Sequence, residues 1–250
     1  MALIWQHSVD GTKYEVRNAG SSVRLYTNGV FHTQYSPRHL FTGAVWDLLT
    51  LPILFNSDHA DRVLMLGVGG GSGIHQLNRL VSPREIVGVE LIDIHLEIAR
   101  RFFDIDYDNV TLYQDDAERW LENDESRFDA VIDDVFVDGD NDPYRPIETN
   151  HRWYSLLNAH VADEGVLIQN HISPSAARQQ MAINESLLRS FYSSAILFTV
   201  PNFENCIVAL YRKPVNARSA RARVMARLRE IARGETRKLR FSCSQLFIDD

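Results

Sequence analysis

VLMLGVGGGSG, residues 63–73, decides how the rest of the chain is read. Four apolar residues run into Gly67, Gly69, Gly70 and Gly71, and a helix-compatible stretch opens at Ser72. This is the pattern of a buried strand turning sharply into a helix. The apolar run suits a strand covered on both faces, and glycines let the backbone turn tightly and approach a ligand that any Cβ would repel. The N–H groups of the new helix then point at the same spot. Tight turns use glycine for structural reasons too, so position carries the argument: this loop follows the first strand of a long alternating run.

Downstream, strands are expected at 63–68, 85–91, 110–114, 129–135, 165–171, 195–200 and 205–212, with helices between them at 72–81, 93–103, 117–123, 150–161 and 175–192. Strands alternating with helices imply parallel pairing and helices on both faces. Only residues 201–204 separate the last two strands, too few for a crossover, so those two should pair antiparallel. The expected class is α/β: a Rossmann-like sheet of six strands plus an antiparallel seventh. Upstream, residues 1–36 read as short strands separated by Asp10-Gly11, Asn18-Ala19-Gly20 and Asn28-Gly29, which are hairpin signals. They form a small antiparallel β-cap, followed by an apolar helix over 40–54. The remainder, 215–250, is arginine-rich; Val224, Leu228 and Ile231 fall at helical spacing and should dock an otherwise solvated helix. The expected organisation is therefore a cap (1–36), a main domain (37–214) and a basic helical tail (215–250).

The chain has 250 residues, long enough for a sizeable core, and its 26 basic and 33 acidic side chains leave a net charge of −7. That balance gives no case for nucleic acid. With two cysteines, Cys206 and Cys243, there is no disulfide framework, and the start carries no signal-peptide pattern. No apolar run reaches the roughly 20 residues that span a bilayer, so a soluble, cytoplasmic protein with no membrane contact is expected. The nine histidines show no metal-binding spacing with cysteine or carboxylate, so no metal is expected.

Five acids stand at three strand ends. Glu90, with Leu91 beside it, ends the second strand about twenty residues beyond the glycines, where an acid accepts ribose hydroxyls. Asp115, Asp116 and Ala117 follow the third strand; an acid there suits an exocyclic amine, while Asp116 equally suits the N-cap of the next helix. Asp133-Asp134 ends the fourth strand. Side chains alternate along a strand, so one of the two faces the site. Asp134 is the candidate catalytic residue, able to take a proton from an amine nucleophile or to steady its charge, and Asp133 is grouped with the cofactor-binding residues. His171, which ends the fifth strand, is a candidate substrate-binding residue; Gln169 joins it only through the resemblance that follows.

In this order the residues resemble the spermidine synthases, or polyamine aminopropyltransferases, of the class I AdoMet-dependent methyltransferase superfamily. The likeness runs from YTNGVFH (26–32) through the glycine loop, VGVEL (87–91), DDAERWL (115–121), FDAVIDDVF (128–136) and RWYSLLNAHVADEGVLIQNHISP (152–174) to VPNF (200–203). The resemblance implies S-adenosylmethionine or its decarboxylated form as the bound nucleoside, with S-adenosylhomocysteine or methylthioadenosine as product. It further implies a small-molecule acceptor, a β-cap that joins subunits into a homodimer, and family roles for Glu90, Asp116, Asp134 and Gln169. Three positions depart. The family's Tyr-His-Glu of the polyamine channel reads Phe41-Thr42-Gly43, the second acid of its Asp-Ser-Ser-Asp reads Val137 with Asp138 adjacent, and the acid of its glycine loop reads Gly70. In the family that last acid faces the amino end of decarboxylated AdoMet, and glycine would spare intact AdoMet a like-charge contact. The expectation therefore favours methyl transfer, with aminopropyl transfer to a diamine and a non-catalytic nucleoside-binding module as alternatives.

Overall fold

The computed structural model describes residues 1–137 and 144–249. Strands β1 (Ala2–Val9), β2 (Thr12–Ala19), β3 (Ser22–Thr27) and β4 (Val30–Tyr35) form an antiparallel meander in that order. Asn28 and Gly29 both have positive φ, 49° and 85°, which a two-residue turn needs if its twist is to match the strands it joins. The inner face of the meander, Tyr14, Val16 and Leu25, belongs to the same apolar cluster as the helices and strands that follow.

Helix α1 (Asp47–Asn56) is buried almost throughout. It starts later than expected because Asp47 turns the chain: its carboxylate accepts the N–H groups of Thr42 and Gly43 at 2.7–3.1 Å, closing residues 42–47 into a loop. Then come β5 (Arg62–Leu66), α2 (Ser72–Leu80), β6 (Glu85–Glu90), α3 (Asp93–Phe102), β7 (Val110–Gln114), α4 (Ala117–Asn123), β8 (Phe128–Asp133), α5 (His151–His160) and β9 (Val161–His171). They are followed by α6 (Pro174–Ile183), α7 (Glu185–Phe191), β10 (Ser194–Thr199), β11 (Cys206–Tyr211), α8 (Ala217–Ile231) and β12 (Ser242–Ile248). Helices α6 and α7 replace the single helix expected over 175–192. They part at Asn184, whose amide donates to the carbonyls of Gln180 (3.0 Å) and Thr149 (3.4 Å).

The large sheet has the order β12-β10-β11-β9-β8-β5-β6-β7. Strands β7, β6, β5, β8 and β9 are parallel, and β11 runs antiparallel to both β9 and β10. Along β5, Val63 and Met65 enter one apolar cluster and Leu64 and Leu66 the other, the alternation of a strand covered on both faces. The sheet has eight strands where seven were expected, because the tail supplies β12, paired antiparallel with β10. Gln245 ties it in, accepting from the Ala217 N–H at 2.9 Å while its amide donates to the Ala195 carbonyl at 3.1 Å. The tail is thus more than a helix. Helix α8 docks through Ala217, Ala220, Val224 and Leu228, and Ile231, expected on that stripe, is exposed. The strand order reverses between β5 and β8, so the carboxyl ends of these strands frame a crevice.

Candidate active site

The glycine loop leaves β5 at Gly67, whose φ of 84° only glycine adopts without strain. A Cβ there would collide with the Asp134 carbonyl, which keeps β5 and β8 close at the crevice. Gly69 looks onto open space, so a side chain at that position would fill the pocket it borders. The pocket has a volume of about 340 Å³. Gly67, Val68, Gly69 and Ser72 form one wall, and Glu90, Leu91, Asp115, Asp116, Ala117 and Asp134 stand around it.

Glu90 ends β6 with its carboxylate turned into the crevice, only 6% exposed. Its Oε2 accepts the N–H groups of Val68 (3.0 Å) and Gly69 (2.8 Å), and Oε1 accepts that of Ile92 (3.0 Å). His95 Nδ1 lies 3.6 Å from Oε1. Burial pushes the Glu90 pKa up, but the interaction with His95 and these N–H groups outweigh it and hold the carboxyl below its ordinary range. Both lone pairs of Oε2 are used, while Oε1 accepts one N–H and has His95 beside it. At the next strand end Asp116 caps α4, accepting the Arg119 N–H at 3.0 Å, and Asp115 is paired with the Arg119 guanidinium. Both still border the pocket.

Asp134 follows β8, partly exposed to the pocket and otherwise enclosed by protein. Burial pushes its pKa up to about 7; the Asn170 amide, donating at 2.7 Å, pulls it down, and the Asp133 carboxylate pushes it up. A carboxyl poised near neutrality can exchange a proton with a bound amine.

Five expected site residues do not line the pocket. Asp133 is fully buried and faces away, accepting two bonds from Arg145 (2.8 and 2.9 Å), one from the Trp153 indole (2.9 Å) and one from the Gln169 amide (2.9 Å). Strand alternation puts it opposite Asp134, and Gln169 faces the same way because Asp133 and Gln169 are register partners in β8 and β9. His171 is buried beyond them, with burial pushing its pKa down to about 4. A side chain at Gly70 would run into Thr33 and Phe103, and one at Gly71 into Ile105, so both glycines face protein rather than ligand. The like-charge argument built on Gly70 therefore loses its footing. Asp138 lies outside the described residues.

The sequence reading missed Asn170, which the Asp133–Gln169 register would have placed beside Asp134. It also missed Phe31, Trp46, Leu49 and Phe203, which line the pocket's apolar side. These come from β4, α1 with the residue before it, and the β10–β11 loop, and no local spacing links them. Among the described residues no group of three His, Cys, Asp or Glu side chains is placed to hold a metal ion.

A family model described as "Methyltransferase domain" matches residues 63–147. A probable polyamine aminopropyl transferase of Bifidobacterium longum is 28% identical over 199 residues, 76% of this chain and 43% of its own. A polyamine aminopropyltransferase of Ralstonia nicotianae is 30% identical over 179 residues, 68% of this chain and 34% of its own. By these matches the chain is similar to a spermidine synthase-like branch of the class I AdoMet-dependent methyltransferases. It spans less than half the length of these curated relatives. A spermidine synthase solved in complex with the transition state analogue AdoDATO shares the fold, with a TM-score of 0.68 at 12% identity, covering 88% of this chain and 76% of that one. Within this branch the relatives' names speak of aminopropyl rather than methyl transfer.

Proposed function

We propose that this pocket binds an AdoMet-type sulfonium nucleoside and that the protein transfers the nucleoside's aminopropyl group to an amine. The carrying observation is Asp134: a carboxyl near neutrality, in one pocket with Glu90 and the open backbone at Gly69. The residues present suit such a ligand. Glu90 offers Oε1 to a ribose hydroxyl, Asp115 or Asp116 meets the adenine amine, and the Gly67–Val68–Gly69 backbone leaves room for the sulfonium arm. A sulfonium supplies an activated carbon and a neutral thioether leaving group. Alignment is then what the protein mainly has to provide. Asp134 draws the proton from the acceptor ammonium; as the N–C bond forms, the C–S bond breaks and its electron pair stays on sulfur, giving methylthioadenosine. The names of the curated relatives and the AdoDATO complex of the structural neighbour support the aminopropyl reading over the methyl one. A homodimer built on the cap, where Leu3, Ile4 and Val9 of β1 are exposed, belongs to the same proposal.

The test is product analysis with the full chain, offering AdoMet or decarboxylated AdoMet with a panel of amines. Methylthioadenosine is expected. S-adenosylhomocysteine in its place would move the protein to methyl transfer, and micromolar nucleoside binding by calorimetry without either product would make it a non-catalytic module.

A further inference from the structure

Beyond Asp134 the pocket changes chemistry. Asn170 donates to Asp134 and accepts from the Asn205 amide at 3.3 Å, which carries the wall onto the β10–β11 loop, where Phe203 stands two residues from Asn205. Phe203 meets Trp46 edge to face with ring centroids 6.1 Å apart, and Trp46 meets Phe31 edge to face at 4.9 Å. Leu49, in the first turn of α1, lines the same side. The other carboxylates among the described lining residues, Glu90, Asp115 and Asp116, stand at the ends of β6 and β7, on the other side of β5 from the β10–β11 loop that carries Phe203. An aromatic face can hold an ammonium, but here the Arg24 guanidinium already sits 5.1 Å from the Phe31 centroid and sets a positive charge behind the wall.

We infer that the arm formed by Phe31, Trp46, Leu49 and Phe203 receives the apolar body of the acceptor, which is a primary monoamine with an alkyl or aryl tail. This rests on the transferase reading, because the amine nitrogen must reach Asp134. Hydrocarbon buried against these side chains stabilises the complex in proportion to its area. A second ammonium would lose its water against the same surface and approach Arg24 with like charge. The reaction itself is unchanged: the nitrogen gains the transferred carbon, sulfur keeps the C–S electron pair, and the amine proton passes to Asp134.

The experiment measures methylthioadenosine release by the full chain from decarboxylated AdoMet, with n-propylamine through n-hexylamine set against 1,4-diaminobutane and 1,5-diaminopentane. KM should fall about fourfold with each added methylene of the monoamines, and the diamines should have kcat/KM about tenfold or more below monoamines of equal length. Diamines equal to or better than the monoamines overturn the inference while leaving aminopropyl transfer standing. S-adenosylhomocysteine release from AdoMet with the same preference for long monoamines overturns aminopropyl transfer and supports the acceptor class. Neither product with any amine overturns both. In Phe203→Asp the KM for n-hexylamine should rise and that for 1,5-diaminopentane should fall; equal losses for both would mean that Phe203 only supports the fold, and would overturn its place in the arm.

Discussion

At the scale of single residues, Asp134 is the proposed general base, and two neighbours set its character. Asn170 holds it in place and Asp133, turned the other way, is neutralised by Arg145. Asp134→Asn should lower turnover by about 10²–10⁴-fold, the usual worth of a positioned general base, with nucleoside affinity by calorimetry little changed. Because the proposed mechanism uses the carboxylate, kcat/KM should rise with pH to a plateau above about 7. Asn170→Leu, which removes the bond that lowers this pKa, should shift that limb to higher pH. Stability runs the other way. A folded-state pKa raised above the unfolded value means that the protonated carboxyl favours the fold; that contribution is complete below about pH 4 and is lost as pH rises through about 7. At pH 8, Asp134→Asn should therefore be more stable than the parent, by on the order of 3 kcal/mol in denaturant unfolding, and the difference should close at pH 4.

The β5–α2 turn and the end of β6 are one construction. Glu90 gathers three backbone N–H groups from two segments, so the acid proposed to bind the ribose also shapes the glycine loop. Glu90→Ala leaves those donors without an acceptor, and should cost about 3 kcal/mol of unfolding free energy along with nucleoside binding. Legibility at this scale was uneven. The β5 run and its glycines announced a strand and a turn, and β7 and α4 were placed to the residue. Strand β12 was missed because SCSQLFI, nearly half polar and with Phe247 as its one buried residue, lacks the run or alternation of a buried strand. It is held by the β10 edge and by Gln245, neither of which is local. Asp47 likewise moves the start of α1 by a contact that helical periodicity does not record.

At the scale of the whole molecule, the cap is part of the site. Thr33 of β4 bonds Ser72 at the start of α2 (2.7 Å), the Tyr35 ring stacks on His75 at 3.9 Å, and Thr33 occupies the space a side chain at Gly70 would need. The apolar cluster runs unbroken from Tyr14, Val16 and Leu25 into α1 and the sheet. A chain lacking residues 1–36 should accordingly lose its cooperative melt in calorimetry and near-UV circular dichroism; retention of a sharp transition would show that the cap is an independent unit. The sequence by itself determined the alternation of strands and helices, the antiparallel strand pair, the glycine turn and the acids at the strand ends. All of these are local, set by the period of apolar residues and by the backbone freedom of glycine. Only the tertiary structure decided which of Asp133 and Asp134 faces the pocket, that Gly70 faces the cap, and that four apolar side chains from distant segments meet beside Asp134. Those outcomes depend on strand register and on packing between elements far apart in the chain, which a reading of neighbouring residues does not contain.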